Sequence, residues 1–197
     1  VLDDYLEQSL KLAPYTLYND PLAPMTGIQA QLPILLSEYQ FYSSQDVDTY
    51  LELLKKTPEY FQSLLSFEQK RADAGLFMPS YSAADIIDEC RDFIAQGDDN
   101  YLISTFSDRL SSLGLSEKQN NAYINKNKTY IQKHIMSSYL NLADGLEDLQ
   151  NSGRNQKGLC YLPNGKSYYE ALVHSETGSA RNITELQKLT ISQMQED

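Results

Sequence analysis

Tryptophan is absent from this 197-residue chain, and histidine and cysteine each occur only twice. The two cysteines, Cys90 and Cys160, stand far apart. No C-x-x-C pair or mixed Cys/His spacing surrounds them, which excludes a zinc ribbon and a disulfide-stapled scaffold. Long apolar runs are missing too. The longest is "LPILL", far short of the ~20 residues that cross a bilayer as a helix. The chain has no G-x-G-x-x-G, P-loop, H-E-x-x-H, EF-hand or G-x-S-x-G pattern. Basic residues are scarce: 16 Lys and Arg face 27 Asp and Glu, for a net charge of −11. The whole excess lies in residues 1–100, and residues 101–197 balance. That distribution disfavours nucleic acid or an anionic membrane as partner, because phosphate binding needs clustered Lys and Arg. It reads as a solvated acidic face.

What is present is enough for a core. Hydrophobic residues make up 41% of the chain, above the range of disordered sequences. The aromatics are 15 Tyr and 6 Phe. Tyrosine packs its ring and keeps a hydroxyl for a polar partner, so this composition suits half-buried surfaces and clefts.

Helical periodicity dominates. "VLDDYLEQSLKLAP" reads as a helix ending before Pro14, and residues 13–31 as an irregular, proline-rich lead-in. "LPILLSEYQF" predicts a short helix with Pro33 in its first turn. Ser44 is placed to cap the next helix, whose apolar face is Val47, Tyr50, Leu51 and Leu54. "TPEYF" predicts a restart, with Thr57 as cap and Pro58 at the first position, running to Gly75. "SAAD" after Pro79 has a capping-box form, and Ile86, Ile87, Cys90, Phe93 and Ile94 follow as an apolar face closed by Gly97.

The longest element spans residues 116–150. Ser116 and Gln119 form a capping-box pattern. Apolar rows then continue through Ile131, Ile135, Tyr139, Leu142, Leu146 and Leu149 to the Asn151–Gly153 stop. Its basic half holds Lys118, Lys126, Lys128 and Lys133, and its acidic residues come last, against the helix macrodipole. The expectation is that the acidic first hundred residues pack near those lysines. Residues 151–166 read as a loop, in which the Asn164-Gly165 turn signal admits a small β-hairpin near 158–166. "KSYYEALVHSE" and a segment capped by Asn182 with Glu185 predict the last helices. The fold class is therefore all-α: a multi-helix array with one long central helix and irregular loops. It reads as a single helical domain, with the lead-in over 1–45, shorter helices over 46–111 and C-terminal helices over 167–197.

Candidate chemistry is sparse. His134 lies beside an apolar row with no second ligand at i+4, so it reads as a core or boundary histidine. Glu170 and His174 are i,i+4 neighbours able to pair, yet they do not complete a metal site. Two N-x-T sequons, at Asn127 and Asn182, carry no weight by themselves.

Four stretches, in order, resemble a bacterial family known as domain of unknown function 885. They are "TGIQAQLPILLSEYQF", "DVDTYLELLKKTPEYFQSLLSFEQKRADAGLFMP", "SGRNQKGLCYLPNGKSYYEALVHSETGS" and the run into "ITELQKL". The resemblance covers nearly the whole chain. It implies a longer, mostly helical protein whose later half carries an H-E-x-x-P-G-H type motif, similar to helical zinc metallopeptidases. Two histidines and a downstream acid would hold zinc there, and the glutamate would activate water. This chain has no such motif, so it corresponds to the N-terminal and central portion. No catalytic residue or metal ligand is carried over. The cofactor expectation is none in this chain, with zinc assigned to the full-length protein. The implied partners are the remainder of the same polypeptide and a peptide substrate. Tyr168, Tyr169, His174, Thr177 and Gly178 become candidate substrate-cleft contacts. The resemblance also implies a secreted or lipid-anchored protein of a Gram-positive bacterium. Against the enzyme stands a second reading, a non-catalytic helical interaction or support module.

Overall fold

A computed structural model describes residues 2–196. In chain order the helices are α1 (Leu2–Leu12), α2 (Ile28–Glu38), α3 (Ser44–Asp73), α4 (Ser80–Ala95), α5 (Tyr101–Ser104), α6 (Phe106–Leu110), α7 (Glu117–Tyr130), α8 (Ser137–Leu149), α9 (Gly165–Thr177) and α10 (Ile183–Glu196). The described residues contain no strand. The all-α expectation therefore stands. The chain divides into two units, one formed by Asp20–Arg154 and the other by Val1–Asn19 together with Asn155–Asp197.

The larger unit is built on α3, α4 and α8. α3 and the long helix run in the same direction: Asp48 acts on Tyr123 near their starts, and Phe61 packs on Tyr139 at 5.0 Å further along. α4 runs the opposite way, with Phe93 stacked on Tyr139 at 4.4 Å and Arg91 paired with Glu147. The core fills the space between them with Val47, Tyr50, Leu51, Leu54, Ile86, Cys90, Ile135, Leu142 and Leu146. At one end the planar Arg109 guanidinium lies over the rings of Phe41 (4.4 Å) and Tyr50 (4.8 Å) and donates to the Tyr39 carbonyl. That arrangement combines cation–π attraction with a hydrogen bond.

Both prolines expected at helix starts lie inside helices. α2 begins at Ile28, so Pro33 sits mid-helix rather than in the first turn. α3 runs unbroken across Thr57-Pro58, and the predicted restart does not occur. An interior proline costs ~3 kcal/mol. Burying Leu64 and Phe61 on the same face as Leu51 and Leu54 outweighs it, at roughly 1.5–3 kcal/mol per side chain. The Thr57 hydroxyl also donates back to the Leu53 carbonyl at 3.2 Å.

Two caps move by one or two residues. Ser43, not Ser44, caps α3 in a reciprocal box with Asp46. α4 starts at Ser80, ahead of the "SAAD" box, behind Pro79. Other signals fall where the sequence puts them. Gly75 closes α3 at φ +73, with the Leu76 N–H reaching the Arg71 carbonyl at 2.8 Å, the bonding pattern of a Schellman cap. Ser116 and Gln119 form their box, and so do Asn182 and Glu185.

The long helix spans the expected range but changes character midway. Ile131–Met136 is a π-helical turn joining α7 to α8. The hydroxyls of Ser137 and Ser138 both donate to the His134 carbonyl there, at 3.4 and 2.5 Å. The charge expectation holds for Lys128, which pairs with Asp98 at 2.8 Å, and for Lys126, whose charge acts on Glu52. Lys118 and Lys133 are exposed.

In the second unit, α1 packs on α9. The expected hairpin near 158–166 is absent. Leu159–Tyr161 is a 3-10 turn, and Asn164, at φ 53, launches α9 instead of reversing a strand. Gly165 packs against the Leu159 carbonyl so tightly that a Cβ would collide with it. The turn signal is real, but no alternating apolar pattern flanks it to make strands.

Candidate functional site

Four of the five candidate residues of the "NGKSYYEALVHSETG" stretch lie on α9, and Gly178 follows it. They do not converge. Tyr168 is 8% exposed and closes an aromatic cluster, with ring centroids 4.8 Å from Tyr18 and 5.5 Å from Tyr15. The Tyr18 hydroxyl donates to the Pro163 carbonyl. Burial, then the neighbouring Tyr15, pushes that hydroxyl's pKa upward. Tyr168 is thus largely buried by its ring neighbours.

Thr177 and Gly178 end the helix. The Thr177 hydroxyl donates to the Val173 carbonyl at 2.7 Å and accepts from the Ser179 N–H at 3.2 Å. Gly178, at φ +62, donates to the His174 carbonyl at 3.0 Å. Their pattern is that of a C-terminal cap. The Glu170–His174 pair does not form; Glu170 lies 4.0 Å from Lys166, one turn earlier. His174 is half-buried.

Tyr168 borders a recess of about 320 Å³ with Ser9, Leu12 and Leu172, and Tyr169 faces a larger cavity. Tyr169 lines this open groove of about 510 Å³ with Val173, Ile183, Leu186, Thr190 and Ile191. A more polar neighbouring recess adds Lys166, Glu170, Asn182 and Lys188. α9 supplies one wall and α10 the other. The groove is apolar at its floor and carries charges of both signs at its rim, the usual character of a peptide- or helix-accepting surface. Ile191 and Met194 remain exposed on α10, as do Leu2, Leu6 and Leu10 on α1. Sequence reasoning missed this groove. The signal was there in Ile183, Leu186, Thr190 and Ile191, which recur at helical spacing on a segment with no buried residue.

Two further polar clusters lie in the larger unit. Glu68 is fully buried and accepts two hydrogen bonds from Arg71, at 3.0 and 3.1 Å, while Arg71 also pairs with Asp20. Burial raises the Glu68 carboxyl to about 7 against the opposing pull of Arg71. Around the π turn, the His134 ring meets the Tyr130 ring edge-on at 5.2 Å. Partial burial, then the charges of Lys133 and Lys55, holds its imidazole below the ordinary value. Asn127 is fully inside and donates to the Leu102 carbonyl at 2.9 Å, so its sequon is closed to modification. Among the described residues no group of three or more His, Cys, Asp or Glu is placed to hold a metal ion. No helix among them is long and apolar enough to cross a membrane.

The fold has a solved counterpart. A crystal structure of the "putative lipoprotein from Colwellia psychrerythraea" superposes with a TM-score of 0.79 at 13% identity, over 87% of this chain and 30% of that one. The present chain thus spans less than a third of that protein's length. No functionally curated protein matches. The family described as "Bacterial protein of unknown function (DUF885)" matches residues 1–197. With every residue covered by that match and the resembling stretches all in place, the chain belongs to the bacterial DUF885 family.

Proposed function

We propose that this chain is the helical scaffold of a longer zinc-dependent, peptidase-like protein, with α9 and α10 forming a wall against which the rest of that polypeptide packs. The observation that carries this reading is the open apolar groove between α9 and α10, continued by the exposed Ile191 and Met194. Apolar surface of this kind marks an interaction site when it is contiguous. The partial coverage of the Colwellia structure supports a larger parent. The zinc and peptidase parts rest on the family resemblance. Within that reading Tyr169 and His174 are the surface candidates for substrate contact, and this chain alone binds no zinc and cleaves nothing.

The test is amide hydrogen exchange on the full-length protein and on this chain alone. Strong protection of residues 183–196 only in the full-length protein supports the scaffold; equal exchange in both overturns it. Zinc content and peptide hydrolysis of the full-length protein then decide the chemistry. A full-length protein with the groove protected but with neither zinc nor hydrolysis favours the support-module reading, which the same groove would equally serve.

A further inference from the structure

Pro14 has no N–H to continue α1, and Ala13–Tyr18 follows as a 3-10 segment kinked at Tyr15 (φ −102, ψ 17). Residues three apart eclipse in a 3-10 turn, so Ala13, Thr16 and then Asn19 fall along one edge. That edge, Ser9 of α1, and Tyr168 and Leu172 one turn apart on α9 enclose the recess of about 320 Å³. All of these residues belong to the smaller unit. Its aromatic wall is held in place. Tyr15 is half-buried, with the Tyr18 ring edge-on to it at 5.4 Å and the Tyr168 ring tilted against it at 5.5 Å. Polar groups complete the lining. The Ser9 hydroxyl donates to the Tyr5 carbonyl at 2.9 Å and the Thr16 hydroxyl to the Ala13 carbonyl at 2.8 Å, which leaves both oxygens as acceptors. Among the described residues, neither the Tyr15 hydroxyl nor the Asn19 side-chain amide has a hydrogen-bond partner. None of the described lining residues is charged, in a chain whose charged fraction is 22%.

We propose that this recess binds one pyranose ring of a neutral sugar, with Tyr15, Thr16 and Asn19 as its principal contacts. The lining selects the chemistry. An anion is held best by a cationic side chain and a cation by a carboxylate, and the recess offers neither. A wholly apolar ligand would leave the Tyr15 hydroxyl and the Asn19 amide without partners. A sugar matches both halves of the site. Its hydroxyls donate and accept, as the amide and hydroxyls here do. Its C–H faces, weakly positive, suit the negative face of an aromatic ring. The volume lies at the small end of the range for ligand sites, ~300–1,000 Å³, which fits one ring rather than an extended peptide. Tyr15 is already fixed by Tyr18 and Tyr168, so binding has few side chains left to order. α9 turns Tyr168 and Leu172 to this recess and Tyr169 and Val173 to the α9–α10 groove, so the two sites are distinct.

The test is saturation-transfer NMR on the full-length protein. The probes are the methyl β-glycosides of glucose, galactose and N-acetylglucosamine, with glucose 6-phosphate as the charged control. Transfer to at least one methyl glycoside, saturating with concentration and exceeding that to glucose 6-phosphate, supports the site. No transfer to any of them, or equal transfer to the charged sugar, overturns it. Tyr15→Phe and Asn19→Ala each remove one neutral hydrogen bond and are expected to weaken binding about fivefold, or ~1 kcal/mol. Tyr169→Phe, in the other groove, should leave binding unchanged. Unaltered binding in both Tyr15→Phe and Asn19→Ala, with native circular dichroism, overturns the proposal, as does equal weakening by Tyr169→Phe. The tetrasaccharide of the sugar that binds separates the sources. Tighter binding than the methyl glycoside assigns the recess to a glycan chain, and equal binding assigns it to a single free sugar.

Discussion

The buried Tyr139 hydroxyl donates to the Gln29 main-chain carbonyl at 2.6 Å, across more than a hundred residues of chain. Gln29 is four residues before Pro33, so its carbonyl is the one the proline leaves without an intrahelical donor. A side chain of α8 thereby completes the hydrogen bonding of α2. This bond explains how α2 tolerates a proline in its middle. Tyr139→Phe is expected to destabilise the larger unit by about 1–3 kcal/mol, the cost of a buried unpartnered carbonyl. In a Pro33→Ala background the helix regains its own donor and the same substitution should cost less. Urea unfolding of the four variants measures the coupling, and strict additivity would refute it.

Glu68 gives stability a pH dependence of definite sign. Its carboxyl is raised from 4.5 to about 7 in the fold, chiefly by burial. A raised carboxyl contributes stability that is fully present below the unfolded value and lost as pH rises through the folded one. The Glu68 contribution should therefore decline between about pH 4.5 and 7. Glu68→Gln removes that decline, so unfolding midpoints of the two proteins should diverge in favour of the variant as pH rises. A constant difference across the window contradicts the assignment.

Removing Arg71 tests the same pair from the other side. At pH 8.5, Arg71→Met leaves a buried carboxylate unpaired and should cost about 3–5 kcal/mol. At pH 5.5 Glu68 keeps its proton and the cost should be clearly smaller. Equal costs at the two pH values, read from urea midpoints, would show that Arg71 matters through contacts other than Glu68.

The two thiols should differ sharply toward a thiol reagent. Cys160 is exposed. Cys90 is fully buried, and burial pushes its thiol up to about 12. Only the thiolate reacts, so one fast-reacting group per native chain is expected and two in denaturant. Cys160→Ser should abolish the fast phase.

Gly165 has no room for a side chain, because a Cβ would meet the Leu159 main chain. Gly165→Ala is expected to loosen the turn ahead of α9 and speed hydrogen exchange over residues 159–177. The larger unit, probed over α4 and α8, should exchange as in the wild type.

Much of the fold was legible because its signals are local. The Ser116 and Asn182 boxes, Gly75, Gly97 and the apolar rows of the long helix each depend on residues a few positions apart. Pro33 and Pro58 misled because what licenses them is tertiary: Tyr139 for one, the shared buried face of α3 for the other. The π turn leaves almost no trace, since it widens one turn of a pattern that continues on either side. At the candidate site, Tyr168 looked available because its ring partners, Tyr15 and Tyr18, lie about a hundred and fifty residues away. The groove beside Tyr169 was hidden for the opposite reason. An amphipathic pattern marks an apolar face without saying whether anything covers it.

The packing of α1 on α9 has a consequence for synthesis on the ribosome. Everything the larger unit needs has been made by Arg154, whereas α1, which precedes that unit in the chain, waits for α9 beyond it. Leu2, Leu6 and Leu10 stay exposed both while the longest part of the chain emerges and in the finished fold. The acidic Asp3, Asp4 and Glu7 interleaved with them keep that waiting segment in solution. A helix made before the larger unit thus docks only after that unit is complete.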